Sequence, residues 1–232
     1  MLIFLISQEF RKSLEIISFP NQKMSVIEDK DLVSQLLIEE AARGSTSVNL
    51  TDRQLTSVPT EITQLTLLER LGLGNNALTV LPRDLNKLSH LRYLNLKSNQ
   101  LREIPICLTE LPLLEILDIS RNKIKRFPIA PGNLIHLKVW SLSKNRITHI
   151  PNYITQMEKL VLLKVDRNPI QWPPLAIAEM KDDAQPEIWL RALKAFLTEH
   201  GECFLNLIFR KERRRRCSIT KSRSNASLET RT

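Results

Sequence analysis

The sequence predicts an α/β solenoid: right-handed coils, a parallel sheet on the concave face, and a helical cap at each end. Three observations predict it. The first is a period. Six segments begin at Ser45, Leu68, Leu91, Leu114, Leu137 and Leu160, each 23 residues after the last and without insertion. A fixed period in the twenties marks stacked supersecondary units. The second is recurrence. Asn returns at position nine as Asn76, Asn99, Asn122, Asn145 and Asn168, and Pro at position fifteen as Pro59, Pro82, Pro105, Pro128, Pro151 and Pro174. The third is alternation. Positions four and six, such as Leu94 and Leu96, are apolar between polar neighbours, which describes a short strand with one face inward.

Each part of the coil has a physical reason. Strands from successive coils pair in parallel, about 4.8 Å apart. Position eleven (Leu55, Leu78, Leu101, Ile124, Ile147, Ile170) returns inward after a bend. The position-nine Asn sits inside that bend, where its amide bonds backbone groups of its own and the adjacent turn. Position eighteen (Ile62, Leu85, Leu108, Ile154, Ile177) and position twenty-one (Leu65, Leu88, Leu111, Leu134, Met157, Met180) close the core from outside. The Pro at fifteen opens that outer segment, where its fixed φ suits a first helical turn.

Departures are informative. Arg53 replaces Asn in the first coil, which suits an end coil with no predecessor. In the fourth coil Pro131 follows Pro128 by three residues, which predicts extended chain in place of a helical turn. Trp140 replaces the first strand Leu of the fifth coil, and its bulk is expected to be taken up by Pro131-Gly132. Gly72-Leu73-Gly74 lies in a strand, lacks the remaining glycines of a dinucleotide turn, and is expected to leave a shallow spot on the concave face.

The flanks divide the rest. Residues 1–30 read as an N-terminal extension, disordered or mis-started, because Met24-Ser25-Val26 is a more natural beginning. Met1–Ile6 is too short and lacks the basic lead of a signal peptide; a weakly amphipathic membrane anchor is the competing reading. Residues 31–44 read as an N-terminal capping helix with Leu32, Leu36, Ile38 and Ala42 inward and Gly44 at its end. The coils fill 45–178. Residues 179–201 form a C-terminal cap: a polar connection, then a helix from Pro186 to about His200 with Trp189, Leu190, Leu193, Phe196 and Leu197 on one face. Residues 202–232 read as a basic disordered tail.

The charge is uneven. The chain carries +9, but from Arg210 onward nine Lys/Arg stand against two Asp/Glu, or +7, leaving +2 for everything before. The coils are near neutral, so any nucleic-acid binding falls to the tail. Cys107, Cys203 and Cys217 are too few and scattered for a disulfide framework, which points to a cytoplasmic protein. His90, His136, His149 and His200 are isolated, and no nucleophile–base or metal-ligand spacing stands out. The reading is therefore not an enzyme, with no cofactor, no metal, no small-molecule substrate and no transmembrane segment. Arg213-Arg214-Arg215-Arg216-Cys217-Ser218 carries a basic run suited to nuclear import and a candidate phosphorylation site at Ser218.

The pattern L-x-x-L-x-L-x-x-N-x-L resembles the leucine-rich repeat, in its intracellular 23-residue form with Leu-Pro at fourteen and fifteen. The order of parts resembles one group more closely. Leu36-Leu37-Ile38-Glu39-Glu40-Ala41-Ala42-Arg43-Gly44 runs into Val48-Asn49-Leu50, and Trp189-Leu190-Arg191-Ala192-Leu193-Lys194-Ala195-Phe196-Leu197 closes the coils. This is similar to the repeat region of the fungal leucine-rich repeat protein of the RAM morphogenesis network, over about residues 31–200. The long C-terminal region of that family is replaced here by the short basic tail. The repeats also resemble Ras-group scaffold proteins. The resemblance implies a non-catalytic scaffold or adaptor in an intracellular kinase pathway of polarised growth, with a Ste20-like kinase as partner. The alternative is a phosphatase-regulatory or small-GTPase-binding repeat protein.

The candidate partner site is on the concave face. Position three supplies Tyr93, Ile116, Val139 and Leu162, an apolar stripe roughly 14 Å across from the strand spacing. Position eight supplies Arg121, Lys144 and Arg167 beside it, and Lys123 and Arg146 at position ten extend the basic column. The competing reading is that neighbours partly cover position three and the charges are merely solvated.

Overall fold

The computed structural model describes residues 37–38, 43–174 and 187–200. Six strands, β1 (Ser47–Asn49), β2 (Arg70–Gly72), β3 (Tyr93–Asn95), β4 (Ile116–Asp118), β5 (Val139–Ser141) and β6 (Leu162–Lys164), form one parallel sheet in chain order. The register turns the sequence period into geometry: Ser47, Arg70, Tyr93, Ile116, Val139 and Leu162 are partners in line. Each of the first five coils returns over its outer side through one short turn of helix. Thr60–Gln64, Arg83–Lys87 and Asn152–Gln156 are 3-10 turns and Ile106–Thr109 is α-helical. Each of these four starts directly after its position-fifteen Pro, as the fixed φ of that residue favours.

Why the strands stop after three residues was not legible in the apolar pattern. At position eight Asp52, Asn75, Ser98, Arg121, Lys144 and Arg167 all have φ between 51° and 59°, the left-handed region. That conformation turns the chain out of the sheet plane, and for a residue with a Cβ it costs roughly 1–2 kcal/mol. Position five helps the exit. Asn49, Asn95 and Asp118 each accept a hydrogen bond through Oδ1 from the backbone N–H two residues on, at 3.1, 3.0 and 2.9 Å.

The interior is built as the spacing requires. Leu71, Leu73, Leu94, Leu96, Leu117, Ile119, Trp140 and Leu142 of the sheet meet Ile62, Leu85, Leu108 and Ile154 of the outer turns, all without exposed surface. Burying each such side chain contributes about 1.5–3 kcal/mol. The asparagines join one coil to the next. Asn122 accepts at Oδ1 from the Leu101 N–H of the preceding coil at 3.0 Å and donates from Nδ2 to Leu96 O, Ile119 O and Ser120 O at 3.0, 3.1 and 3.2 Å. Asn76, Asn99, Asn145 and Asn168 repeat the pattern. Arg53 follows from the same geometry. Its own N–H donates to Asn76 Oδ1 at 3.0 Å, and among the described residues no coil stands before it to bond.

Four expectations are corrected. The fourth coil does make a helical turn, Gly132–His136, opened by Pro131 at φ −69°. Pro131 does not block the turn because it sits at the cap, where no amide N–H is required; it delays the turn by three residues. Trp140 is edge-on to Phe127, with ring centroids 5.1 Å apart, so an aromatic of the preceding coil takes up its bulk. The glycines leave no open hollow. A Cβ on Gly72 would lie 2.6 Å from Asn49 Oδ1, and one on Gly74 would lie 3.3 Å from Asn95 Nδ2, so position-five side chains fill that space. Of the two described residues of the N-terminal helix, Leu37 is fully buried and Ile38 is 59% exposed, so Ile38 does not face the core.

Gly44 takes φ +65°, a conformation available to glycine at the close of a helix. At the other end the helical residues 187–200 bury Trp189, Leu190, Leu193 and Leu197 in the same core as the coils. Lys194 Nζ donates to Met157 O at 2.6 Å, and Phe196 lies 5.5 Å from Trp172 and stacks on His200. The extension 1–30, Ile177, Met180, the 181–185 connection, Cys203, Cys217 and the tail with Ser218 lie outside the described residues.

Candidate functional site

The concave face is built from residues that point away from the core at positions three, five, seven and eight. Position three carries the apolar row. Parallel register sets Tyr93, Ile116, Val139 and Leu162 side by side. The row is less open than its composition suggests. Tyr93, Ile116 and Leu162 are half-buried, and Val139 is buried at 8% exposure. Val139 therefore supports the row from within and offers little surface of its own. Strands this close let bulky neighbours on either side cover a smaller central residue. The Arg70 guanidinium lies 5.3 Å from the Tyr93 ring centre, a cation–π contact at the head of the row. Burial, followed by the nearby Asp118 carboxylate, pushes the Tyr93 hydroxyl above its ordinary range, with Arg70 opposing. The phenol stays neutral and able to donate.

Position eight carries the basic column. The left-handed backbone throws Arg121, Lys144 and Arg167 out beside the row, with Arg121 and Arg167 exposed and Lys144 half-exposed. Lys144 is held below the ordinary lysine range by the like charges of Arg121 and then Arg167, partly offset by Asp166. Lys97, from position seven of the third coil, adds to the same positive field. Among the described residues none of these four cations forms an ion pair. Arg146 is exposed, and Lys123 donates to Gln100 Oε1 at 3.2 Å. The structure thus brings Arg121, Lys144 and Arg167 together with the apolar row. Lys97 was missed in the sequence because it belongs to a different ruler position.

The opposite rim behaves differently. At position two Glu115 accepts from Arg92 of the coil before at 3.0 Å and from Lys138 of the coil after at 2.7 Å. These alternating charges were also missed, although opposite signs at 23-residue intervals are a readable signal. The Lys138 hydrogen bond above all holds the Glu115 carboxyl below the usual glutamate range.

Among the described residues no group of three His, Cys, Asp or Glu could hold a metal ion. Burial pushes the Cys107 thiol up to about 11, so it is almost wholly protonated at neutral pH. No helix among the described residues is long and apolar enough to cross a membrane.

The leucine rich repeat family model matches residues 45–101 and 66–124. A leucine-rich repeat protein of Leptospira interrogans is similar at 30% identity, with a TM-score of 0.46, over 52% of this chain and 36% of that one. The plant peptide hormone receptor RGFR1, solved in complex with RGF2, is similar at 33% identity and a TM-score of 0.48, over 52% of this chain and 20% of the receptor. The Arabidopsis receptor kinase HAESA, solved with the peptide hormone IDA and the co-receptor SERK1, is similar at 24% identity and a TM-score of 0.48, over 53% and 22%. The chain therefore spans about a third or less of the length of each of these proteins. Comparison with curated proteins gave no match. The family match coincides with the strand register over residues 45–124, so this stretch carries the leucine rich repeat pattern.

Proposed function

We propose that this domain is a non-catalytic, protein-binding scaffold that docks a partner on its concave face. One observation carries the reading: a half-exposed apolar row lies directly beside a column of cations that form no ion pair among the described residues. Apolar surface rimmed by charge suits association, because covering the row supplies affinity and the charges select and orient the partner. Tyr93, Ile116 and Leu162 are the anchors, Val139 backs them, and Arg121, Lys144 and Arg167 with Lys123 and Arg146 form the charged flank. A Ste20-like kinase in a pathway of polarised growth is the finer reading, supported by the order of helix, coils and closing helix along the sequence. A cytoplasmic location fits the sparse cysteines.

Affinity capture with the full chain, followed by mass spectrometry, tests this. The parent protein should recover a Ste20-like kinase, and Tyr93→Ala with Ile116→Asp should lose it while melting as a folded protein. Unchanged recovery by that folded variant would remove the concave row from the account. Recovery of a phosphatase or a small GTPase in place of a kinase would replace the kinase-pathway reading.

A further inference from the structure

The two rims of the sheet share one coil spacing and solve the same electrostatic problem in opposite ways. Side chains at one ruler position stand about 4.8 Å apart in successive coils, so like charges there repel. On the position-two rim the signs alternate, and Glu115 neutralises both Arg92 and Lys138. On the position-eight rim Arg121, Lys144 and Arg167 share one sign, and among the described residues no acid pairs with any of them. The nearest counter-charge acting on Lys144 is Asp166, whose carboxylate accepts a hydrogen bond from Ser143 Oγ. The residue choice is costly in a second way. All six coils need a left-handed residue here, and the first three supply Asp52, Asn75 and Ser98, small polar residues, two of which (Asp and Asn) suit that conformation. The last three supply long cations.

We infer that the rim formed by Arg121, Lys144 and Arg167, with Lys97 at its margin, is a docking strip for an extended acidic peptide segment of a partner protein. The inference rests on the protein-binding reading above and names the chemistry of the partner. Charge complementarity selects the occupant. From Arg210 onward the chain's own tail carries nine Lys/Arg against two Asp/Glu, so it is repelled. Three cations in successive coils span about 10 Å, and an extended peptide advances about 3.3 Å per residue. Same-face residues of an extended segment recur at every second position, about 6.6 Å apart, so two acidic side chains fall within the length of the strip and the long arms of the three cations reach both. Such a ligand removes the mutual repulsion that holds the Lys144 ammonium below its usual range.

The test uses the full chain and a fluorescein-labelled peptide containing Glu-Glu-Asp-Glu, followed by anisotropy over a salt series. Arg121→Asn, Lys144→Asn and Arg167→Asn together remove the charge while keeping a residue that already occupies this position at Asn75. This triple variant should keep the parent's melting profile, bind the peptide about tenfold or more weakly, and lose most of the salt dependence. Replacing Arg213, Arg214, Arg215 and Arg216 by Gln should change affinity by less than about twofold. Tyr93→Ala with Ile116→Asp, which tests the scaffold reading, should retain most of the salt-dependent peptide binding. The strip is overturned if the folded triple variant binds like the parent, or if the tail variant accounts for the loss. It is also overturned if an oligoribonucleotide, and not the peptide, binds in a manner that the triple variant abolishes. Lys144→Glu supplies an independent check: it should bind a peptide with Lys in place of the Asp better than the parent does.

Discussion

Positions eight and nine are chain neighbours in the same turn of every coil, yet they answer to different demands. Asn122 is buried and bonds three carbonyls and one amide, two of them in the coil before. Arg121, one residue earlier, is exposed and has no ion-pair partner among the described residues. The difference teaches how a solenoid divides its labour. Whatever faces the neighbouring coil is fixed by hydrogen bonds that only one side-chain shape can make. Whatever faces the concave solvent is free to carry a partner's complement.

Breaking the buried column should give the largest effect. Asn122→Leu orphans the buried Leu101 amide and takes away one of the two amide donors to the Leu96 carbonyl, leaving Asn99 Nδ2, and should lower stability by about 3 kcal/mol in urea unfolding. Breaking the paired rim should cost much less. Glu115→Gln should lose about 0.5 kcal/mol at neutral pH, because its partners are half-exposed. The pH dependence has a definite sign. The folded-state pKa of Glu115 is depressed, so its contribution is present above the unfolded value and disappears as pH falls through the folded one. The gap between parent and Glu115→Gln should therefore close below the ordinary glutamate range. A gap that persisted in acid would mean that the carboxylate charge is not its source.

Changing the unpaired rim should move stability least and in the other direction. The triple Asn variant at 121, 144 and 167 should unfold at a urea concentration equal to or slightly above the parent's, from relieved repulsion and easier left-handed geometry. Arg53→Asn sharpens the contrast from inside the ladder. It places the buried-column residue in the first of the described coils, and should change the urea midpoint by less than about 0.5 kcal/mol equivalent. A large gain there would show that the residues before Ser45 supply carbonyls as a coil would.

The coil itself was legible because burial on a periodic scaffold leaves a periodic apolar record. Leu94, Leu96, Leu101, Leu108 and Leu111 could be placed inward from spacing alone, and the Asn interactions followed from the need to satisfy buried backbone. The errors fall where one residue type has two uses. Pro131 reads as a breaker in sequence but serves as a cap in space, since the difference is one of position relative to the turn. Leu37 and Ile38 are equally apolar, and a short helix gives too few turns to choose between them. Val139 sits in an exposed register but is covered, because burial on a sheet face depends on the sizes of both neighbours. The concave charges were readable as columns, whereas Lys97 joins them only when two ruler positions meet in space.

Native-state hydrogen exchange at the Leu101 amide tests the central division most directly. That N–H donates to Asn122 Oδ1, whereas Arg121 is exposed. Asn122→Leu should speed its exchange by at least about a hundredfold, in line with a loss near 3 kcal/mol. Arg121→Asn, one residue away, should leave it within about twofold of the parent. Equal acceleration in both variants would contradict the claim that neighbouring columns of one turn serve the fold and the partner separately.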